Sequence, residues 1–88
     1  MTDAIIIDYD VFAQESRLYI MKNGERSSSQ IASDIHTLAS DVIGVAQKTG
    51  IYNVKIHAPF AFMSEINRQI KQLEMTTYAE NKIMIEGL

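Results

Sequence analysis

Cysteine is absent from the 88 residues. That removes disulfide staples, thiolate nucleophiles and thiolate metal sites together, and it fits a cytoplasmic compartment. Proline occurs once and glycine four times. Each falls where chain punctuation is expected, so there is no linker, no low-complexity tract and no internal repeat. No apolar run approaches the ~20 residues that span a bilayer, and Met1-Thr2-Asp3-Ala4 lacks the basic flank of a signal peptide. Positive charge is scarce as well. Eight Lys and Arg against eleven Asp and Glu leave a formal charge of −3 and a pI near 5.2. An acidic domain repels phosphate backbones, which disfavours nucleic-acid binding unless a local basic patch overrides it. The chain has no P-loop, no dinucleotide fingerprint and no nucleophile elbow, and no cofactor is expected.

What is present is a chain of one domain, residues 1–88, with 47% hydrophobic residues. A chain of this length buries roughly 60% of its unfolded surface, enough for one core. The most informative pair is Asn23-Gly24. Both central residues of a type I′ turn need φ > 0, and Asn-Gly meets that requirement best. The pair predicts a hairpin between a strand over Arg17 to Lys22 and a short polar edge strand over Glu25 to Ser28. Lys22 then faces Glu25, and Met21 faces Arg26. A strand over Ala4 to Phe12 precedes them, with Ile5, Ile7, Tyr9 and Val11 on one face and Ile6, Asp8, Asp10 and Phe12 on the other.

A helix is predicted from Gln30 to Lys48. Ile31, Ile35, Leu38, Val42 and Val45 recur at helical spacing. Ser27 with Gln30 has capping-box spacing, with Ser28 and Ser29 as alternative caps, and Gly50 suits the end of the helix. Tyr52 to His57 reads as a fourth strand. Pro59 can open a second helix over Phe60 to Glu74, striped by Phe62, Ile66, Ile70 and Leu73. Met75 to Asn81 reads as a loop and Lys82 to Glu86 as the last strand. The short connections make the last strands parallel crossovers and the first three an antiparallel meander. The expected fold is α/β: a single mixed five-stranded sheet, order 3-2-1-4-5, with two helices on one side.

That order resembles the skeleton of the ribonuclease H-like superfamily, over nearly the whole chain and at the level of topology. Members include nucleases and nucleotide-binding ATPases, and some ribosomal proteins share a related arrangement without catalysis. In the nucleases, the resemblance implies, a first-strand Asp, a helix carboxylate and another at the end of the fourth strand hold two metals that stabilise the attacking and leaving oxygens. Asp8 matches the first position and Asp34 the second. The fourth strand ends Ile56-His57-Ala58-Pro59, with no carboxylate, and Val11 to Ser16 lacks the glycines of the ATPases' phosphate loop.

Read from the residues alone, Asp8 and Asp10 share a strand face, and side-by-side carboxylates suit Mg²⁺; the plainer alternative is the solvated end of a strand. His57 and Phe60 lie where a parallel strand meets a helix N-terminus, a place that favours anions; a surface histidine is the plainer alternative. His36, outward-facing beside Thr37 and Ser40, has no metal-ligand spacing to any partner. Arg17, Lys22 and Arg26 gather on the hairpin near Tyr19 and could follow a nucleic-acid backbone, or form a solvated edge. Two helices on one side leave the other side of the sheet uncovered, with Tyr9, Val11, Tyr19 and Met21, or the opposite set, as its interface. The functional expectation is a small non-catalytic interaction module that self-associates as a dimer, or binds a protein partner, through its sheet. The alternative is a nucleic-acid-associated domain: an RNA- or DNA-binding domain or a degenerate metal-dependent nuclease.

Overall fold

The computed structural model describes residues 3–27, 29–32, 34–77 and 82–87. Its elements are β1 (Ala4–Asp10), β2 (Glu15–Lys22), β3 (Glu25–Arg26), β4 (Gln30–Ala32), α1 (Ile35–Thr49), β5 (Asn53–His57), α2 (Phe60–Thr77) and β6 (Met84–Gly87). They form one mixed sheet of six strands, ordered β3-β2-β1-β5-β6, with β4 also pairing β2. β1 is antiparallel to β2 and parallel to β5, and β5 is parallel to β6.

Asn23 and Gly24 both take positive φ, 55° and 80°, and Lys22 faces Glu25 across the turn. Beyond it the structure departs from the sequence reading. Residues 30–32 are strand, not the first turn of a helix. Met21 pairs with Arg26, whereas Leu18 pairs with Gln30 and Ser16 with Ala32. The register therefore slips by one residue between the two halves of the edge, the mark of a β-bulge. Ser27 holds the ladder together there. Its N–H donates to the Ile20 carbonyl (2.9 Å), and its Oγ accepts from the Ile20 N–H (2.9 Å), standing in for a backbone oxygen. The proposed caps Ser27 and Ser29 thus precede another strand, and Ser28 lies outside the described residues.

Helix α1 starts after Asp34, whose carboxylate accepts from the Thr37 N–H (2.8 Å) and hydroxyl (3.0 Å). An aspartate at this position satisfies one of the otherwise unpaired first-turn donors. The strand ladder holds 30–32 in extended form, so the local cap at Asp34 sets the helix start. Ile31, expected in the helix stripe, is instead 62% exposed on the edge strand. Gly50 ends α1 in the left-handed region (φ 75°), its N–H donating to Ala46 O. Helix α2 opens with the Met63 N–H on Pro59 O and runs through Thr77, three residues past the expected Glu74. The rest of the expected loop, 78–81, lies outside the described residues.

Both helices cover the same face of the sheet. Leu38, Val42 and Ala46 of α1 and Ile66 and Ile70 of α2 share one buried cluster with Ile5, Ile7, Leu18, Val54 and Ile56 of the strands. The outcome is a slab of 36 × 30 × 19 Å, two layers thick. Among the described residues no helix is long and apolar enough to cross a membrane.

Candidate functional site

The uncovered face follows from alternation along each strand. Ile5 and Ile7 are fully buried under the helices, so Ala4, Ile6, Asp8 and Asp10 point the other way. The register then brings onto that face Glu15, Arg17, Tyr19 and Met21 of β2, Asn53, Lys55 and His57 of β5, Met84 and Glu86 of β6, Arg26 of β3 and Ile31 of β4. Its centre is screened although no second layer lies over it: Ala4 and Ile6 are 2% and 7% exposed. Tyr19 and Lys55 are the register partners of Ile6 on its two sides. The Arg26 guanidinium lies 3.9 Å from the centre of the Tyr19 ring, a cation–π contact. Lys55 reaches Glu86 at 3.9 Å. Ile31 and Met84 stay exposed at opposite margins.

The four expected interface residues do not share this face. Tyr19 and Met21 are on it. Tyr9 belongs to the covered side, where its ring stacks on Phe62 with centroids 4.3 Å apart. Val11 leaves the strand altogether and sits exposed in the turn of residues 11–14. The basic set divides in the same way. Arg17 and Arg26 are on the uncovered face, while Lys22 alternates with them and follows Leu18 and Ile20 to the other side. The expectation of one basic strip fails because residues 17, 22 and 26 have mixed parity relative to the pairing.

The carboxyl end of β1 and β5 brings together two residues that the sequence reading assigned to different sites. Asp8 and His57 are register partners, and His57 Nδ1 lies 3.1 Å from Asp8 Oδ1. With Nδ1 on the carboxylate, Nε2 is turned to solvent. Arg17 stands opposite Asp8 on the other neighbouring strand. Asp8, Tyr9, Asp10 and Arg17 line an open cleft of about 240 Å³. The hydroxyl-bearing neighbours Tyr9 and Ser16 alternate to the opposite sheet face. Nothing local in the sequence marks the pairing, because the register of two parallel strands is set by the intervening crossover.

Asp10, Asp8 and Asp34 do not converge as metal ligands. Asp10 Oδ1 accepts from the Phe12 and Ala13 N–H groups (3.0 and 3.2 Å), Asp8 faces His57, and Asp34 caps α1. Among the described residues no three His, Asp or Glu side chains gather closely enough to hold a metal ion. Phe60, expected beside a bound anion, opens α2 with its side chain 77% exposed, three residues beyond His57. Phe12, expected on a sheet face with Ile6, Asp8 and Asp10, is fully exposed in the β1–β2 turn. Its position at the end of an alternating strand suggested a sheet face, and the turn formed by Asp10 removed it from the sheet. Compared with known protein families and curated proteins, the chain matches none of them.

Proposed function

We propose that the protein is a small non-catalytic interaction module that pairs with a second copy of itself through the uncovered sheet face. The single observation that carries this reading is the one-sided cover: both helices pack on one face, and the other presents Ile31 and Met84 to solvent with Tyr19 and Met21 half-buried between them. Burying apolar surface contributes about 25 cal/mol per Å² gross, from which ordering costs are subtracted.

Size and charge favour a like partner. The broad side of a 36 × 30 Å slab is comparable with the ~800 Å² that each partner contributes to a standard interface. The face carries Asp8, Asp10, Glu15 and Glu86 together with Arg17, Arg26 and Lys55, with His57 beside them. Charges of both signs nearly cancel across the face, so like-charge repulsion between two copies is small, and no basic excess draws a phosphate backbone to it. Replacing both Ile31 and Met84 with Glu tests the reading, since each side chain is already exposed and the fold does not depend on either. The native protein is expected to sediment at twice 9.9 kDa at micromolar concentration, and the double variant as a monomer. A native species of 9.9 kDa at every concentration would overturn the proposal.

We also propose kinship with the ribonuclease H-like superfamily at the level of topology. The order β3-β2-β1-β5-β6, with β5 and β6 parallel to β1, supports it. The nuclease chemistry of that superfamily is not part of the proposal, since Asp8, Asp10 and Asp34 serve three separate local contacts.

A further inference from the structure

The charges on the uncovered face are sorted along its strands. Toward the carboxyl end of β1 stand Asp8, Asp10 and Glu15 against the single guanidinium of Arg17, with His57 beside Asp8. Toward its amino end stand Arg26 and Lys55 against the single carboxylate of Glu86, with Lys82 exposed two residues ahead of Met84. One end of the face is acidic and the other basic. Glu15 and Met21 mark the two ends on β2, and Met21 shares its rung with Arg26. At ~3.4 Å per residue the ends are about 20 Å apart. That exceeds the ~8 Å over which charges act at physiological salt, so the ends behave as two separate patches.

Two copies that meet by the same face are related by a half-turn about an axis lying in the interface. Aligned sheets keep their strand directions within about 30°, which leaves two arrangements. An axis along β1 sets acidic end on acidic end, with Asp8 and Asp10 each opposed by its own copy. Like charges so placed disfavour the contact. An axis across the strands sets the acidic end of each copy over the basic end of the other.

We infer that the two copies pair with their β1 strands antiparallel, the Asp10–Glu15 end of each lying over the Arg26–Lys55 end of the other. The inference rests on the sheet-face pairing proposed above and fixes its direction. It makes Glu15 and Arg26 partners between molecules although they stand at opposite ends of the face within one.

The chain has no cysteine, so introduced ones report alone. Glu15→Cys and Met21→Cys are mixed in equal amounts, left to exchange subunits, and treated with a thiol reagent that spans the ~10 Å between stacked sheets. A cross-linked dimer of one variant with the other, identified by mass, is expected, and each variant alone is expected to stay uncross-linked. Self-cross-linking of either variant would overturn the inference, as would a mixture that sediments as a dimer without the mixed product. Charge reversal gives a second readout. Glu15→Lys and Arg26→Glu are each expected to weaken the dimer severalfold in sedimentation, and Glu15→Lys/Arg26→Glu to restore it. The two positions are too far apart to pair within one chain, so rescue reports a contact between copies. A single reversal that tightens the dimer, or a double variant no tighter than the singles, would also overturn it. Native protein that stays monomeric at every concentration removes the sheet-face reading and this inference with it, whereas a native dimer with the wrong cross-links removes the direction alone. Melting curves confirm that each variant is folded.

Discussion

His57 Nδ1 and Asp8 Oδ1 meet at 3.1 Å across the parallel pair β1 and β5. The two residues are 49 positions apart in sequence and share one rung of the sheet. Both side chains are well exposed, 70% for His57 and 42% for Asp8. Solvent therefore screens the pair, and exposed pairs contribute little. His57→Ala is expected to lower stability by less than about 1 kcal/mol in urea titration. A larger loss would mean that the pair anchors β5 against β1.

The bulged edge depends on one hydroxyl. Ser27 Oγ accepts the Ile20 N–H where a backbone carbonyl would ordinarily stand. Ser27→Ala takes that acceptor away, and the expected cost is about 0.5–1.5 kcal/mol, the usual net value of one hydrogen bond. Faster hydrogen exchange at the Ile20 amide, without a change at Ile5 or Ile7, would locate the effect at the bulge.

Asp34 marks the start of α1 through its bonds to Thr37. Asp34→Ala is expected to cost about 1 kcal/mol, and Asp34→Ser to recover most of it, because serine is also a good cap. Equal stability of the native and alanine proteins in denaturant titration would show that the strand β4 alone dictates where the helix begins.

The start of β6 is held by side chains of α2. Lys71 Nζ donates to Ile83 O (2.8 Å) and Glu74 Oε2 accepts from the Ile83 N–H (3.2 Å), while Lys71 and Glu74 also pair with each other at 3.2 Å. Glu74→Ala leaves the amide of a buried residue without this acceptor. The expected loss is about 1–3 kcal/mol, with hydrogen exchange rising through Met84–Gly87 before the rest of the sheet. Unchanged exchange in β6 would count against the clip.

Acid acts on Glu65. Hydrogen bonds from Arg68 and Gln69 hold its carboxyl below the usual value of 4.5, and the same contact raises Arg68. A depressed folded-state pKa contributes stability above the unfolded value, and the contribution disappears as the pH falls through the lower folded value. Melting temperature is therefore expected to drop below pH 4.5 in the native protein by more than in Glu65→Gln. Parallel acid profiles for the two proteins would remove Glu65 from the account.

Local chemistry was legible wherever neighbours in sequence are also neighbours in space. Asn23-Gly24 forms its hairpin because positive φ at both positions is a property of those two residues. Gly50 ends α1 for the same reason. The stripe Phe62, Ile66, Ile70 and Leu73 packs on the core because helical period is written into spacing. Gln30 to Ala32 fits a helix locally, since Ile31 falls on the helical period of Ile35 and Leu38. A competing ladder from β2, fourteen residues earlier at Arg17, outweighs that local preference.

Amino-acid order alone determined the hairpin, the helical stripes, the alternation along β1 and the acidic balance, each of which depends on residues a few positions apart. Tertiary structure decided which strand faces which and in what register. It thereby separated Tyr9 from Tyr19, joined Asp8 to His57, and left Phe12 in water. Register is chosen by the summed packing of a whole sheet against two helices, and a slip of one residue would turn every side chain of a strand to the other face.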